Sequence, residues 1–243
     1  MRIVVTDLTR FKNPDIVCLA GIDPNTGLCV RPMLENGARL DYFPFSAVKE
    51  HGIIPGSCLT GTFIPVHGAQ RPHVEDHRSR GDVEVVESVT GAVFEKVLQM
   101  TAHTSIQAAF GALPTDKCFA RQHAPAFSIA TLRLDSPATQ FRLVVDDKFG
   151  TPKFKAHVTD ASGYQLSWLP VTDLGFSDHI AKVRSDDPNL LNLNLFLRSQ
   201  SRLYLRIGLS RPYAPTPGRD GYWVQLNGIY SFPNFRRDLR IYD

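Results

Sequence analysis

Apolar and polar residues alternate with a period of two through much of this chain, the pattern of strands that bury one face. The alternation is cleanest over residues 203–232. Leu203, Leu205, Ile207 and Leu209 fall on one face, and Tyr204, Arg206 and Gly208 on the other. The return run sets Tyr222, Val224, Leu226 and Gly228 on one side and Trp223, Gln225, Asn227 and Ile229 opposite. Between them, Pro212, Pro215, Pro217 and Gly218 can only form a loop, because proline has no ladder donor and glycine weakens a strand. The pattern predicts a long β-hairpin whose second face mixes cations, aromatic rings and amides.

The same period predicts strands over residues 2–6, 15–22, 28–32, 58–66 and 83–88, with Asp23-Pro-Asn-Thr-Gly as a tight turn. Residues 92–100 switch to helical spacing through Val93, Val97 and Met100, and residues 105–110 add a turn or two. The segment 68–81, with Arg71, His73, His77, Arg78 and Arg80, reads as an exposed loop. Strands resume over 127–134, 140–145, 153–158 and 164–169. A helix capped by Thr172 or Asp173 then runs to Val183, and alternating Asn and Leu residues lead into the hairpin. A meander, a helix and two closing strands is the order of an OB-fold. The expected fold is mainly β with minor α: two OB-like Greek-key barrels packed together. Residues 1–121 would form an N-terminal OB-like barrel with a helical insert, and residues 122–243 a C-terminal OB-like barrel. A faint echo accompanies this division. Val5-Thr-Asp-Leu-Thr-Arg-Phe, a loop and a strand ending Gly-Ile parallel Arg206-Ile-Gly-Leu-Ser-Arg-Pro, a loop and a second strand with Gly-Ile.

Composition narrows the picture without changing it. The 243 residues suffice for two domains, and 43% hydrophobic with 21% charged residues excludes disordered and collagen-like chains. A net charge of +3 permits a polyanionic partner without demanding one. Cys18, Cys29, Cys58 and Cys118 form no Cys-x-x-Cys pair and read as reduced core thiols. No apolar run approaches the ~18 residues of a membrane span, and no signal peptide is evident, so the expected location is cytoplasmic with no membrane partner.

Candidate chemistry concentrates on arginines and aromatics. Arg10, Arg31 and Arg211 lie at strand ends, where a guanidinium can fork onto phosphate or, alternatively, tie off carbonyls or pair with a carboxylate such as Asp7. Arg206 belongs to the same polar hairpin face. Tyr213 and Trp223 offer stacking platforms or simple strand packing, Gln225 and Asn227 can read base edges, and Trp168 reads as core. His73 and His77 flank two carboxylates but lack His-Glu-x-x-His order, and the neighbouring arginines would repel a metal ion. Asp146-Asp147 and Asp186-Asp187 abut turn residues, and no phosphate-loop or dinucleotide motif is present. No cofactor and no metal is expected.

The chain resembles the bacterial family of dual OB domain-containing proteins. The resemblance rests on Asp15-Ile-Val-Cys-Leu-Ala-Gly-Ile-Asp and Thr26-Gly-Leu-Cys-Val-Arg-Pro near the start, and on Arg206-Ile-Gly-Leu-Ser-Arg-Pro and Tyr222-Trp-Val-Gln-Leu-Asn-Gly-Ile-Tyr-Ser-Phe-Pro near the end. It implies a pair of OB-like barrels that bind nucleic acid or a nucleotide, in a defence or mobile-element setting. Residues 68–121 carry none of it. The expected function is therefore a non-enzymatic module that holds single-stranded nucleic acid or a nucleotide through Arg10, Arg31, Arg206, Arg211, Tyr213, Trp223, Gln225 and Asn227. The alternatives are a metal-dependent enzyme acting on nucleotides or nucleic acid, and a scaffold for an operon-encoded protein partner.

Overall fold

The computed structural model describes residues 1–36, 39–148, 150 and 152–242. The chain begins with β1 (Arg2–Arg10), β2 (Ile16–Ile22), β3 (Cys29–Asn36), β4 (Arg39–Asp41) and β5 (Phe43–Pro44), followed by α1 (Phe45–Glu50). Then come β6 (Ser57–Thr60), β7 (Phe63–Pro65), β8 (Asp76–Ser79), β9 (Glu84–Ser88), α2 (Gly91–Met100), β10 (Ala102–His103), α3 (Ile106–Phe110) and β11 (Cys118–Ala120). The remainder is β12 (Ile129–Leu134), α4 (Pro137–Gln140), β13 (Phe141–Asp146), β14 (Lys153–Thr159), β15 (Gln165–Pro170), α5 (Leu174–Val183), α6 (Leu191–Arg198), β16 (Arg202–Leu209) and β17 (Gly221–Phe232).

The fold is mainly β, built on two curled half-barrel sheets with few helices, consistent with an OB-like two-part architecture. Among the described residues, nine strands form the first sheet, along the path β7-β8-β3-β2-β1-β6-β9 with β4 and β5 at its side. The second sheet runs β10-β12-β16-β17-β11, and β13-β14-β15 form a third. Two short strands from the first 121 residues, β10 and β11, thus pair within the second sheet, on β12 and β17. Among the described residues no helix is long and apolar enough to cross a membrane.

The predicted hairpin is present as β16 and β17, but neither of its faces is a free surface. Leu203, Leu205, Ile207 and Leu209 enter the larger core with Val224, Leu226 and Ile229. The opposite face, with Tyr204, meets the first sheet: Tyr204, Tyr230 and Phe232 pack with Val4, Ile22, Phe94 and Leu98. A bulge shifts the register after Arg206, so that Gly228 pairs with Arg206 and Leu226 with Ile207, leaving Asn227 as the extra residue. Beyond it the alternation inverts, and Ile229 is buried with the residues it was expected to oppose.

This packing corrects two sequence expectations and gives the alternating Asn and Leu residues their element. The segment 68–81 is not an exposed loop, since its β8 lies parallel to β3 and buries His73, Glu75, Asp76, His77 and Ser79. Its buried carboxylates are paired, Glu75 accepting from the Ser128 and Ile129 amides and the Ser128 hydroxyl, and Asp76 accepting from Arg31. The alternating Asn and Leu residues lead into helix α6, whose first amides, on Leu191 and Asn192, donate to the Asp187 carboxylate while Leu193 and Leu197 turn inward. Trp168 is not core: it is 43% exposed.

The halves are tied by a strap just before α5. Thr172 accepts from the Arg10 amide and donates through its own amide to the Leu226 carbonyl, 3.0 and 2.8 Å. Its hydroxyl lies 3.1 Å from Asn227 Oδ1. Asp173 caps α5 by accepting from Phe176 N and also meets Arg240. The C-terminal end of β1 is thereby tied to β17, whose Leu226 pairs with Ile207 near the C-terminal end of β16.

Candidate nucleic-acid interface

A cleft of about 540 Å³ opens where those two strand ends meet. Arg10 and Lys12 enter it from the end of β1, Arg31 from β3, and Tyr42 from the link between β4 and β5. Arg211 and Tyr213 come from the loop after β16, and Gln225 and Asn227 from β17. Six of the predicted ligand-binding residues, Arg10, Arg31, Arg211, Tyr213, Gln225 and Asn227, therefore share one cavity although they come from opposite ends of the chain.

Its floor is an ordered cationic network. Asp76 accepts from Arg31 Nε at 2.5 Å and from the Arg211 guanidinium at 2.9 Å, so one carboxylate bridges arginines of both halves. Arg211 Nε also donates to the Tyr42 hydroxyl at 2.9 Å, with the guanidinium 5.8 Å from that ring's centre, and Phe11 packs 4.5 Å from the same ring. Arg31 donates to His73 Nδ1 at 3.1 Å, which makes Nδ1 the acceptor. Burial, then Arg211 and Arg31, press the His73 pKa down to about 3, so the ring stays neutral beside these cations.

Arg10 and Lys12 differ from the floor: both are exposed, and among the described residues neither has an acidic partner. Four cationic side chains, Arg10, Lys12, Arg31 and Arg211, thus line a cavity to which the described residues contribute no carboxylate, with Asp76 paired to two of them. Tyr213 is 60% exposed at the rim and free to stack. Gln225 is half-buried on the wall, whereas Asn227 is buried, its Oδ1 taken by Thr172. Gly208 makes room for it: a Cβ there would lie 2.2 Å from Asn227 Nδ2.

Two predicted residues lie elsewhere. Arg206 sits inside the seam between the halves, 1% exposed, donating to Asp7 at 2.8 Å, Thr131 Oγ1 at 2.7 Å and Cys29 Sγ at 3.3 Å. It is a tie between sheets, because the hairpin face expected to meet a ligand packs on β1. Trp223 lines a neighbouring cleft, and its Nε1 donates to the Tyr213 carbonyl at 3.0 Å.

Sequence reasoning missed Lys12, Tyr42 and His73 as members of the cleft, and Asp76 as the carboxylate that holds Arg31 and Arg211 there. Only the His/Arg-rich run around His73 carried any signal, and that run was read as solvent-exposed. Asp147 meets Arg184, and Asp187 caps α6, so both are engaged structurally. The four cysteines are unpaired; Cys18 and Cys58 are buried, Cys29 and Cys118 half-buried. Among the described residues no group of three or more His, Cys, Asp or Glu side chains is placed to hold a metal ion. Comparison with protein-family models and with curated proteins finds no match to this chain.

Proposed function

We propose that this protein is a binding module for short single-stranded nucleic acid or a nucleotide, held in the cleft between the ends of β1 and β16. The observation that carries the reading is the convergence of Arg10 and Arg211, equivalent positions of the sequence echo, on one cavity with an aromatic rim and amide wall. Arg10 and Lys12, without carboxylate partners among the described residues, supply positive charge that a phosphate would neutralise. Arg211, held by Asp76 and Tyr42, is pre-aimed and would lose little entropy on binding. Tyr213 would stack on a base, and Gln225 would hydrogen-bond its edge. The likeness of both hairpins to dual OB domain-containing proteins supports the same reading.

The test is fluorescence anisotropy of labelled short single-stranded DNA and RNA at two salt concentrations, for wild type and Arg10→Ala. Binding should weaken with salt, and the variant should bind more weakly with a log-log salt slope shallower by ~0.7, the loss of one phosphate contact. Binding that is indifferent to both salt and Arg10 would sink the proposal.

A further inference from the structure

Next to this cleft lies a second one, of about 490 Å³, between β15 and the start of β17. Its walls carry both tryptophans of the chain, Trp168 and Trp223, with Lys117, Arg219 and Asp116. Three of the four non-glycine residues with positive φ among the described residues line it: Asp116 (φ 46), Lys117 (φ 67) and Trp168 (φ 58). Side chains larger than glycine rarely take that conformation, and such outliers gather where a side chain must be aimed.

Each outlier has an identifiable local cause. Thr115 and Cys118 exchange both backbone hydrogen bonds around Asp116-Lys117, so these two residues occupy the centre of a tight hairpin turn where Asp-Gly or Asn-Gly is usual. A lysine in the glycine position throws its ammonium into the cleft, 3.4 Å from the Trp168 carbonyl. On the other wall, Ala156 pairs with Leu169 but Val158 with Leu166, so Ser167 and Trp168 together oppose His157. Trp168 is the bulged residue, its indole turned outward against His157 at 5.1 Å with the Lys148 ammonium 6.0 Å from the ring centre. The Arg219 guanidinium lies 4.8 Å from the centre of the Trp223 ring. Burial and then Arg219 lower the Lys117 pKa while Asp116, 3.7 Å from Arg219, opposes the shift, so one carboxylate stands among the cationic side chains of this space.

Two indoles interleaved with Lys117, Lys148 and Arg219 suit a base flanked by phosphates. The cleft adjoins the first, because the Trp223 indole is bonded to the backbone of Tyr213, which forms the first cleft's rim. We infer that the Trp168–Trp223 cleft is a second base-stacking subsite and that the ligand is a single strand of several nucleotides running across Tyr213, not a free nucleotide. This rests on the reading of the first cleft as a nucleotide site.

Because both tryptophans of the chain lie here, intrinsic tryptophan fluorescence reports this cleft directly. The test titrates the full chain with thymidine mononucleotide and with single-stranded DNA and RNA of about 2 to 12 nucleotides, the range of one OB barrel's site size. The longer strands should quench tryptophan emission and bind at least about tenfold tighter than the mononucleotide. Trp168→Gly should weaken them roughly 5- to 150-fold and leave mononucleotide affinity unchanged. It should not lower the melting temperature, since glycine takes a positive φ freely. Lys117→Gly should likewise weaken the long strands while holding or raising the melting temperature. Equal affinity at every length with unchanged emission would overturn the second subsite, and a continued dependence on Arg10 would then leave the first cleft's assignment standing. No binding at any length would remove both.

Discussion

Arg206 and Arg10 are both strand arginines, yet one is consumed by the fold and the other stands exposed at a cleft. The difference lies in what each guanidinium meets. Arg206 is enclosed, and Asp7, Thr131 and Cys29 take its donors; burial pushes the Cys29 thiol up to about 12, so the contact is to a neutral sulfur. Removing one member of a buried pair leaves the other charge unpaired, so Arg206→Leu is expected to lose ~3–5 kcal/mol in urea unfolding. Replacing Asp7 as well should recover part of that. His73 sets a pH dependence of known sign. Its pKa falls from 6.5 unfolded to about 3 folded, so the unfolded chain binds the extra proton between those values. Its stabilising contribution is complete above the unfolded pKa and is lost as pH falls toward 3. Between pH ~7 and ~4.5 the loss is about 2–3 kcal/mol, and His73→Asn, which keeps an acceptor for Arg31, should show a flatter acid limb. An unchanged limb in the variant would show that His73 does not carry that proton linkage.

At the scale of elements, the site depends on close approaches that only glycine allows. A Cβ on Gly175, at the start of α5, would lie 2.4 Å from the Arg240 carbonyl oxygen, which is backbone and cannot swing away. The same helix start is capped by Asp173, whose other oxygen meets Arg240, and the Arg240 guanidinium rests 4.5 Å from the centre of the Tyr230 ring. Gly175→Ala should therefore separate α5 from the C-terminal segment and lower stability by ~1–3 kcal/mol, visible as a lower melting temperature, the cost expected of an overpacked interior. The strap at Thr172 adds the hydrogen bonds that hold the Arg10 and Leu226 backbones together, so loosening α5 should also weaken ligand binding.

Across the whole molecule, the described residues form three cores, and each draws on both halves. Val4, Ile22, Cys58, Phe94, Val97 and Leu98 of the first half pack with Tyr204, Tyr230 and Phe232 of the second, and the Tyr230 hydroxyl donates to the Thr6 carbonyl at 2.7 Å. Leu174 and Tyr242 enter the core of the first sheet, with the Tyr242 hydroxyl bonded to Val48 and Ile53 carbonyls. Interpenetration of this kind predicts one cooperative unfolding transition, seen at the same midpoint by tryptophan fluorescence, which reports the second half, and by far-UV circular dichroism, which reports both. Separate midpoints would mean that the halves fold independently.

How much of this was written in the sequence follows from the range over which each force acts. Alternation over two residues, the helical spacing of Val93, Val97 and Met100 and the capping chemistry of Asp173 are local, so the β character of the chain, the long hairpin and helices α2 and α5 could be read directly. The gathering of Arg10, Arg31, Arg211, Tyr213, Gln225 and Asn227 was legible because the strand ends and the hairpin loop bring their side chains to one edge of the sheets, although the fold then engages Arg31, Arg211 and Asn227. Three things were not legible, each for a non-local reason. Period two says that a strand has two faces but not what covers the second, so Arg206 could be assigned to the seam only once β1 was seen against β16. A polar run such as residues 73–79 looks solvated until Arg31 and Ser128 supply partners that make its burial tolerable. A bulge leaves no periodic trace, so the outward turn of Trp168 and the inward turn of Asn227 were decided only when neighbouring strands fixed the register.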